Sequence, residues 1–518
     1  MATGISPGWP SQREGFFPRR RIVASQKTSR YTFAPMKTLL TAVLLATSLP
    51  VFAGDAKWPR FRGPEGAGVA DGEKPPVEFG PEKNVLWQVA TPSGPSSPCI
   101  WRDRIFLTAY DGGKLWTLCL DRATGKELWR RDAGAEKIEA FLPNQGSPAA
   151  STPTTDGERV VVYFGSCGLI AYDFAGKELW RHALPCAETN NDFGSGTSPI
   201  FADGLVVLVR DLKADSAVLA LDAATGKPVW KTARPGMFTG YSTPMIWEHD
   251  GVKEVIAPGG LAMKAYDLRT GAERWLVREL PAVNCASPVV GDGLLYFAGW
   301  SPAGEDAPMP TFDQLIAPDA DKDGRLSQAE AQATPMKDFF TSNDTDKDGF
   351  ITRAEWDGMI GYLKRGKNRL IAVKPGGSGD ITATHVAWEK TKGLPYVPSP
   401  LLYRGALFMV KDGGLASSYD AAIGAPHYEQ QRLDLAGSFY ASPVAANGHI
   451  YLVNLDGKAA TLAAGPKSEV LWRADFKERI AATPALSDDT LYVRTETKLF
   501  AFKERKAAHT FLSPKTPE

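Results

Sequence analysis

Residues 151–180 read STPTTDGERVVVYFGSCGLIAYDFAGKELW. Ser151-Thr152-Pro153 opens a short β-forming run, and Asp156-Gly157 turns the chain into Val160-Val161-Val162-Tyr163-Phe164. A third run, Leu169 to Asp173, follows, and Gly176-Lys177 turns into the closing Leu179-Trp180. Four short strands punctuated by Gly and Asp turn signals make one antiparallel unit. Its opening Ser/Thr-Pro recurs at Pro98, Pro153, Pro199, Pro244, Pro288, Pro400, Pro443 and Pro484, with differences of 55, 46, 45, 44, 112, 43 and 41. A self-similar period of about 40–50 residues marks a repeat architecture. Eight four-stranded units predict an all-β fold, an eight-bladed β-propeller. The eighth unit lacks its Leu-Trp strand, and Val85-Leu86-Trp87-Gln88-Val89 supplies one from the other end of the chain. Pairing that strand with the last blade would close the ring and leave no open edge.

The chain has 518 residues, with Lys+Arg 59 against Asp+Glu 59. A net charge of zero gives no electrostatic footprint for nucleic acid. Gly 50 and Pro 39 suit many tight turns. Lys37, the apolar run Leu39 to Ala46, and Val51-Phe52-Ala53 read as a secretory signal cleaved after Ala53, with Met36 as the expected start. The apolar run is too short to span a bilayer, so the mature chain is expected to have no transmembrane segment and to be exported, periplasmic or extracellular. The expected organisation is 1–53 extension and signal, 54–300 propeller, 301–368 insertion, 369–504 propeller and 505–518 tail. Cys99, Cys119, Cys167, Cys186 and Cys285 include no adjacent pair and no C-x-x-C. They read as buried small residues, with one disulfide of unassigned pairing open to them.

The 112-residue interval holds the second decisive feature. Removing residues 301–368 restores a period of 44, which places a module between the second and third strands of blade five. Inside it, Asp319, Asp321, Asp323, Gly324, Arg325, Ser327 and Glu330 fall at positions 1, 3, 5, 6, 7, 9 and 12 of an EF-hand loop. Asp344, Asp346, Asp348, Gly349, Phe350, Thr352 and Glu355 repeat the pattern. Ca²⁺ takes about six to eight oxygens from carboxylates at 1, 3 and 5, a carbonyl at 7, a water at 9 and a bidentate Glu at 12. The pattern predicts a small α-helical EF-hand pair holding two Ca²⁺. The loop starts lie 25 residues apart, tighter than usual, so the middle helices must be short.

Several units close on Ala-x-Asp-x-x-Thr-Gly-x-x-x-Trp. Ala220, Asp222, Thr225, Gly226 and Trp230 fit fully, as do Ala265, Asp267, Thr270, Gly271 and Trp275. Cys119, Asp121, Thr124, Gly125 and Trp129 fit after the first position, and Tyr428 stands near the Trp place in blade six. This resembles the tryptophan-docking motif of PQQ-type propellers, a family that includes quinoprotein dehydrogenases and the non-catalytic outer-membrane assembly factor BamB. The resemblance implies the fold and is nearly silent on activity. The dehydrogenases of that family carry a vicinal disulfide against pyrroloquinoline quinone (PQQ), which this chain cannot form. No haem, H-E-x-x-H, G-x-S-x-G or Walker motif occurs, and the six histidines are scattered.

Loops that enter each first strand share a face with loops that join second to third strands, the EF-hand pair among the latter. Asn190, Asn191, Asp192, Phe193, Phe238, Tyr241, Asn284, Tyr396, Phe439 and Tyr440 precede first strands and converge on the channel mouth. Amides and aromatics at a concave mouth suit a small molecule, a peptide or an envelope protein. The expected function is therefore a calcium-binding scaffold or binding propeller with no catalytic residues. A PQQ-dependent oxidoreductase is the alternative.

Overall fold

The computed structural model describes residues 57–301 and 310–504; the expected signal peptide, its cleavage site and the 505–518 tail lie outside them. Eight antiparallel sheets form the blades; in seven of them the four blade strands pair in sequence order, and the eighth takes its outer strand from the other end of the chain. Blade two consists of Thr154–Thr155, Arg159–Phe164, Gly168–Asp173 and Glu178–Ala183. The inner strands are short and buried, and the outer ones alternate between partly buried and exposed, as a half-solvated edge requires. The core lies between blades. Val207, Val209 and Val218 of blade three pack on Val255, Ala257 and Tyr266 of blade four, and other junctions repeat this.

The docking motif supplies the junctions at the outer rim. The Trp180 indole of blade two donates to the Ala223 carbonyl of blade three at 3.0 Å and lies over Gly226. Gly226 has φ +69°, and a Cβ there would sit 2.5 Å from the ring, so only glycine fits. Trp87, Trp129, Trp230 and Trp388 bond the following blade in the same way. The motif Asp holds its turn: Asp222 Oδ1 accepts from the Thr225 N–H at 2.8 Å. Trp275 matches the motif in sequence but docks differently. Its indole donates to Glu254 of its own blade at 3.0 Å. Blade five has no Thr-Gly turn to receive it; instead Gly379–Asp380 leaves that blade and pairs in parallel with Trp275 and Leu276.

Val85–Ala90 pairs with Lys498–Phe502, so the ring closes with three strands from one end of the chain and one from the other. The segment before this strand crosses the central channel. Lys57–Trp58 pairs with the inner strand of blade one, and the Pro59 carbonyl accepts from Thr155 of blade two. Arg62 then donates to the Pro400 carbonyl of blade six at 2.7 Å, and Gly68 and Ala70 bond Ala445 of blade seven. The chain leaves past Tyr403, Arg404 and Asp489 and returns outward to Val85. Trp58 and Arg62 are fully buried in this plug.

Leu294–Gly299 and Arg369–Val373 of blade five pair directly, so the intervening insert leaves and returns at one end of their hairpin. Its described residues include four α-helices: α1 (Phe312–Leu315), α2 (Gln328–Ala331), α3 (Phe340–Asn343) and α4 (Arg353–Lys364). Thr311, Ser327 and Thr352 close capping boxes at the starts of α1, α2 and α4. Leu326–Ser327 pairs with Phe350–Ile351, and Phe312, Leu315, Phe340, Trp356 and Ile360 build a separate small core around that pair.

Candidate functional site

The Ser/Thr of each Ser/Thr-Pro start stands at the inner end of its blade, beside the channel. In six of the eight, the hydroxyl accepts from the backbone N–H of the corresponding residue one blade earlier. Ser97 N–H donates to Thr152 at 3.0 Å, Thr152 to Ser198 at 2.9 Å and Ser198 to Thr243 at 3.0 Å. Beyond the fifth blade, Ser287 donates to Ser399, Ser399 to Ser442 and Ser442 to Thr483, at 2.9–3.0 Å. The following Pro has no N–H to compete for these acceptors. The sequence signature is thus an inner belt of blade-to-blade latches, complementing the outer belt of tryptophans.

Above the latches the channel widens into a funnel of about 410 Å³, with Phe61 of the plug in its floor. Ligand sites span about 300–1,000 Å³, so the volume suits a small molecule or a few peptide residues. Tyr110, Phe141, Phe193, Tyr241, Tyr396 and Tyr440 supply aromatic wall. Arg479, held over the Tyr440 ring and donating to the Asn144 carbonyl, shares the lining with Glu496, which accepts from Ser93.

Of the mouth residues named from sequence, Phe193, Tyr241, Tyr396 and Tyr440 line the funnel. The others stand behind it. The Tyr241 hydroxyl donates to the Asn190 carbonyl at 2.6 Å; Asn190–Asp192 forms a 3₁₀ turn, and Asp192 faces Lys213. Asn284 is buried and donates to the Gly259 and Pro281 carbonyls, bracing the loop beneath. Burial pushes the Tyr241 hydroxyl well above its ordinary range.

A buried acid lies behind one wall. Glu139, on the long loop between blades one and two, is 1% exposed and accepts from Ser195 Oγ at 2.7 Å, while its Oε1 has no partner. Ser195 itself lines the funnel. Desolvation raises the carboxyl to about 7, only partly offset by Ser195 and Arg210.

The inserted lobe sits beside the funnel. The Phe193 ring meets Tyr241 at 5.9 Å on one side and Phe339 of the insert at 6.2 Å on the other. Tyr362 of α4 bonds Thr239 and the Ala282 carbonyl and stacks near Phe238 at 4.6 Å. Within the lobe, carboxylate oxygens of Asp319, Asp321 and Asp323 lie within 4.8 Å of one another, as do those of Asp344, Asp346 and Glu355. Glu330 folds back to accept from Ala320 at 2.8 Å and Ser327 at 2.9 Å, and Arg325 is engaged with Asp323. Asp348 caps its own loop by accepting from Phe350, while Thr352 bonds Glu355. Two hard-oxygen donor sets of this kind fit Ca²⁺.

A family model described as outer membrane protein assembly factor BamB matches residues 80–198, 113–299 and 366–502. The chain belongs to this PQQ-type propeller family. The matches skip the insert and cover the blades. BamB from Moraxella catarrhalis superposes with a TM-score of 0.50 at 14% identity, over 81% of this chain and 99% of that one. A quinohemoprotein alcohol dehydrogenase from Comamonas testosteroni gives 0.52 at 12%, over 89% and 82%. A europium-containing methanol dehydrogenase gives 0.50 at 11%, over 87% and 98%. At such identities these structures share the fold alone. No curated protein matches in sequence. Among the described residues no helix is long and apolar enough to cross a membrane.

For this family member the sequence reading missed the plug, Glu139, Ser195 and Arg494. The plug residues before Val85 carry no repeat signal, and Glu139 belongs to a loop that reads as polar surface. Arg494 had a visible signal: a charge inside the otherwise apolar run Leu491-Tyr492-Val493-Arg494.

Proposed function

We propose that this protein is an exported binding propeller that takes a small molecule, a peptide or a segment of an envelope protein in the funnel beside the inserted lobe. The plug carries this reading: the chain's own residues 57–70 fill the lower channel and leave one aromatic-rimmed chamber, open on the loop face, of about 410 Å³. Such a chamber can bind and orient; no nucleophile–base pair with an orienting third group stands in its lining. The lobe is a calcium-stabilised brace, with Asp319, Asp321, Asp323 and Glu330 in one loop and Asp344, Asp346, Asp348 and Glu355 in the other as carboxylate ligands. The Arg325 and Phe350 carbonyls take position 7, and Ser327 and Thr352 take the water-bridged position 9. Steady Ca²⁺ outside the cytoplasm makes a brace more useful there than a sensor.

The test is reconstitution of the purified mature chain with Ca²⁺ and PQQ, followed by absorbance and dye-linked oxidation of alcohols and sugars. The binding reading expects neither a quinone band nor turnover. A band with turnover would replace it by a PQQ-dependent oxidoreductase.

A further inference from the structure

The latch belt leaves something unused. Thr152, Ser198, Thr243, Ser399, Ser442 and Thr483 each accept a backbone N–H through the hydroxyl oxygen, yet among the described residues none of these hydroxyl protons has a protein acceptor. All six line the funnel. Ser287 completes the set: the residue borders the same funnel and is 6% exposed, and its buried hydroxyl has no partner in the protein. A hydroxyl that accepts from an amide keeps a proton free to rotate to a further acceptor, and a ligand in the chamber would supply one.

One positive charge faces the same space. Arg494 is 1% exposed and lines the funnel. Nη1 donates to Ser96 Oγ at 2.6 Å and to the Ser96 and Thr108 carbonyls, and Nη2 donates to the Pro92 carbonyl. All its partners are neutral, and Nε has none. Burial without a paired carboxylate pushes this guanidinium down to about 9, against a small opposing pull from Glu496. The other two charged side chains of the lining, Arg479 and Glu496, are opposite in sign and cancel. The chamber is therefore rich in O–H donors and carries one uncompensated buried cation, an arrangement that a bound anion relieves.

We propose that the floor of the funnel is a carboxylate site, and that the carboxylate it takes is the free C-terminus of a peptide. This rests on the binding reading above and deepens it. The hydroxyls and Arg494 receive the acidic oxygens, while the aromatic rim and the Asn144–Gln145 loop hold a neutral, amide-bearing body. A small polycarboxylate offers the same acidic oxygens without that body.

Calorimetry on the mature chain tests this with four probes: a mixed tripeptide library with free C-termini, the same library amidated, citrate, and inorganic phosphate. The free acids should bind at least tenfold more tightly than the amides. Ser287→Ala removes a hydroxyl with no intramolecular bond, so it should leave the melting temperature unchanged and weaken acid binding at least threefold, with no effect on the amides. Arg494→Gln should weaken acid binding at least tenfold; Ser287→Ala keeps the test decisive if that variant misfolds. Citrate binding without peptide binding would retain the carboxylate site and overturn the peptide source. Acids and amides binding alike, both abolished by Ser198→Trp, would overturn the proposal and leave the binding reading standing. Phosphate as the sole ligand, or no binding of any probe, would also overturn it.

Discussion

Replacing Glu139 by Gln should make the protein more stable at pH 8 and leave it nearly unchanged at pH 5. The carboxyl ordinarily titrates at 4.5 and in the fold at about 7. Between those values the folded state holds a proton that the unfolded chain has released, so stability falls as pH rises through the window and the loss is complete above about 7. The rise of 7 − 4.5 = 2.5 decades, at about 1.36 kcal/mol each, puts the ceiling near 3 kcal/mol. Gln keeps an acceptor for Ser195 Oγ and, like the protonated acid it replaces, carries no charge to desolvate, so about 2–3 kcal/mol of that ceiling should appear as a gain at pH 8. Urea unfolding at half-unit steps from pH 5 to 8 gives the difference directly. The gap between variant and wild type should open between pH 5 and 7 and then stay constant. A gap independent of pH, or one that widens towards pH 5, would refute the assignment of Glu139 as a carboxyl protonated by burial.

Trp180→Ala removes an almost fully buried ring and its bond to Ala223, and should cost about 3–5 kcal/mol, read as a lower denaturation midpoint. The same change at the half-buried Trp87 should cost less, because part of that ring is already in water. Glu330→Gln with Glu355→Gln should abolish Ca²⁺ uptake in calorimetry and lower hydrogen-exchange protection in α4, while the blades, held by their own sheets, melt almost as before. Deleting residues 54–91 should both unplug the channel and expose the Lys498–Phe502 edge, giving concentration-dependent aggregation by light scattering.

The architecture was legible because its two belts of contacts repeat in the sequence. Ser/Thr-Pro marks the inner latches, and the Asp-x-x-Thr-Gly turn with its Trp marks the outer docks. Even the ring closure showed, as one strand too few at one end and one extra at the other. What stayed hidden depends on contacts made once rather than repeated from blade to blade. Pro59, Arg62 and Gly68 bond three different blades, and no periodicity announces that. Trp275 obeyed the motif, yet its partner turn is missing from blade five, so local pattern gave the wrong acceptor. The mouth divides in the same way. Tyrosines just before first strands reach the funnel, whereas Asn284, equally well placed in sequence, is drawn under by two backbone carbonyls.

Native mass spectrometry of the protein isolated from the cell envelope, beside a Ser198→Trp variant that fills the funnel, tests the central claim most directly. Ser198 lines the chamber, whose lining includes none of the lobe's clustered carboxylates, so both proteins should carry the same two Ca²⁺ ions. The account predicts a further non-covalent adduct on the wild type that is missing from the variant. An adduct retained by the variant, or a wild type that emerges with Ca²⁺ alone, would contradict it.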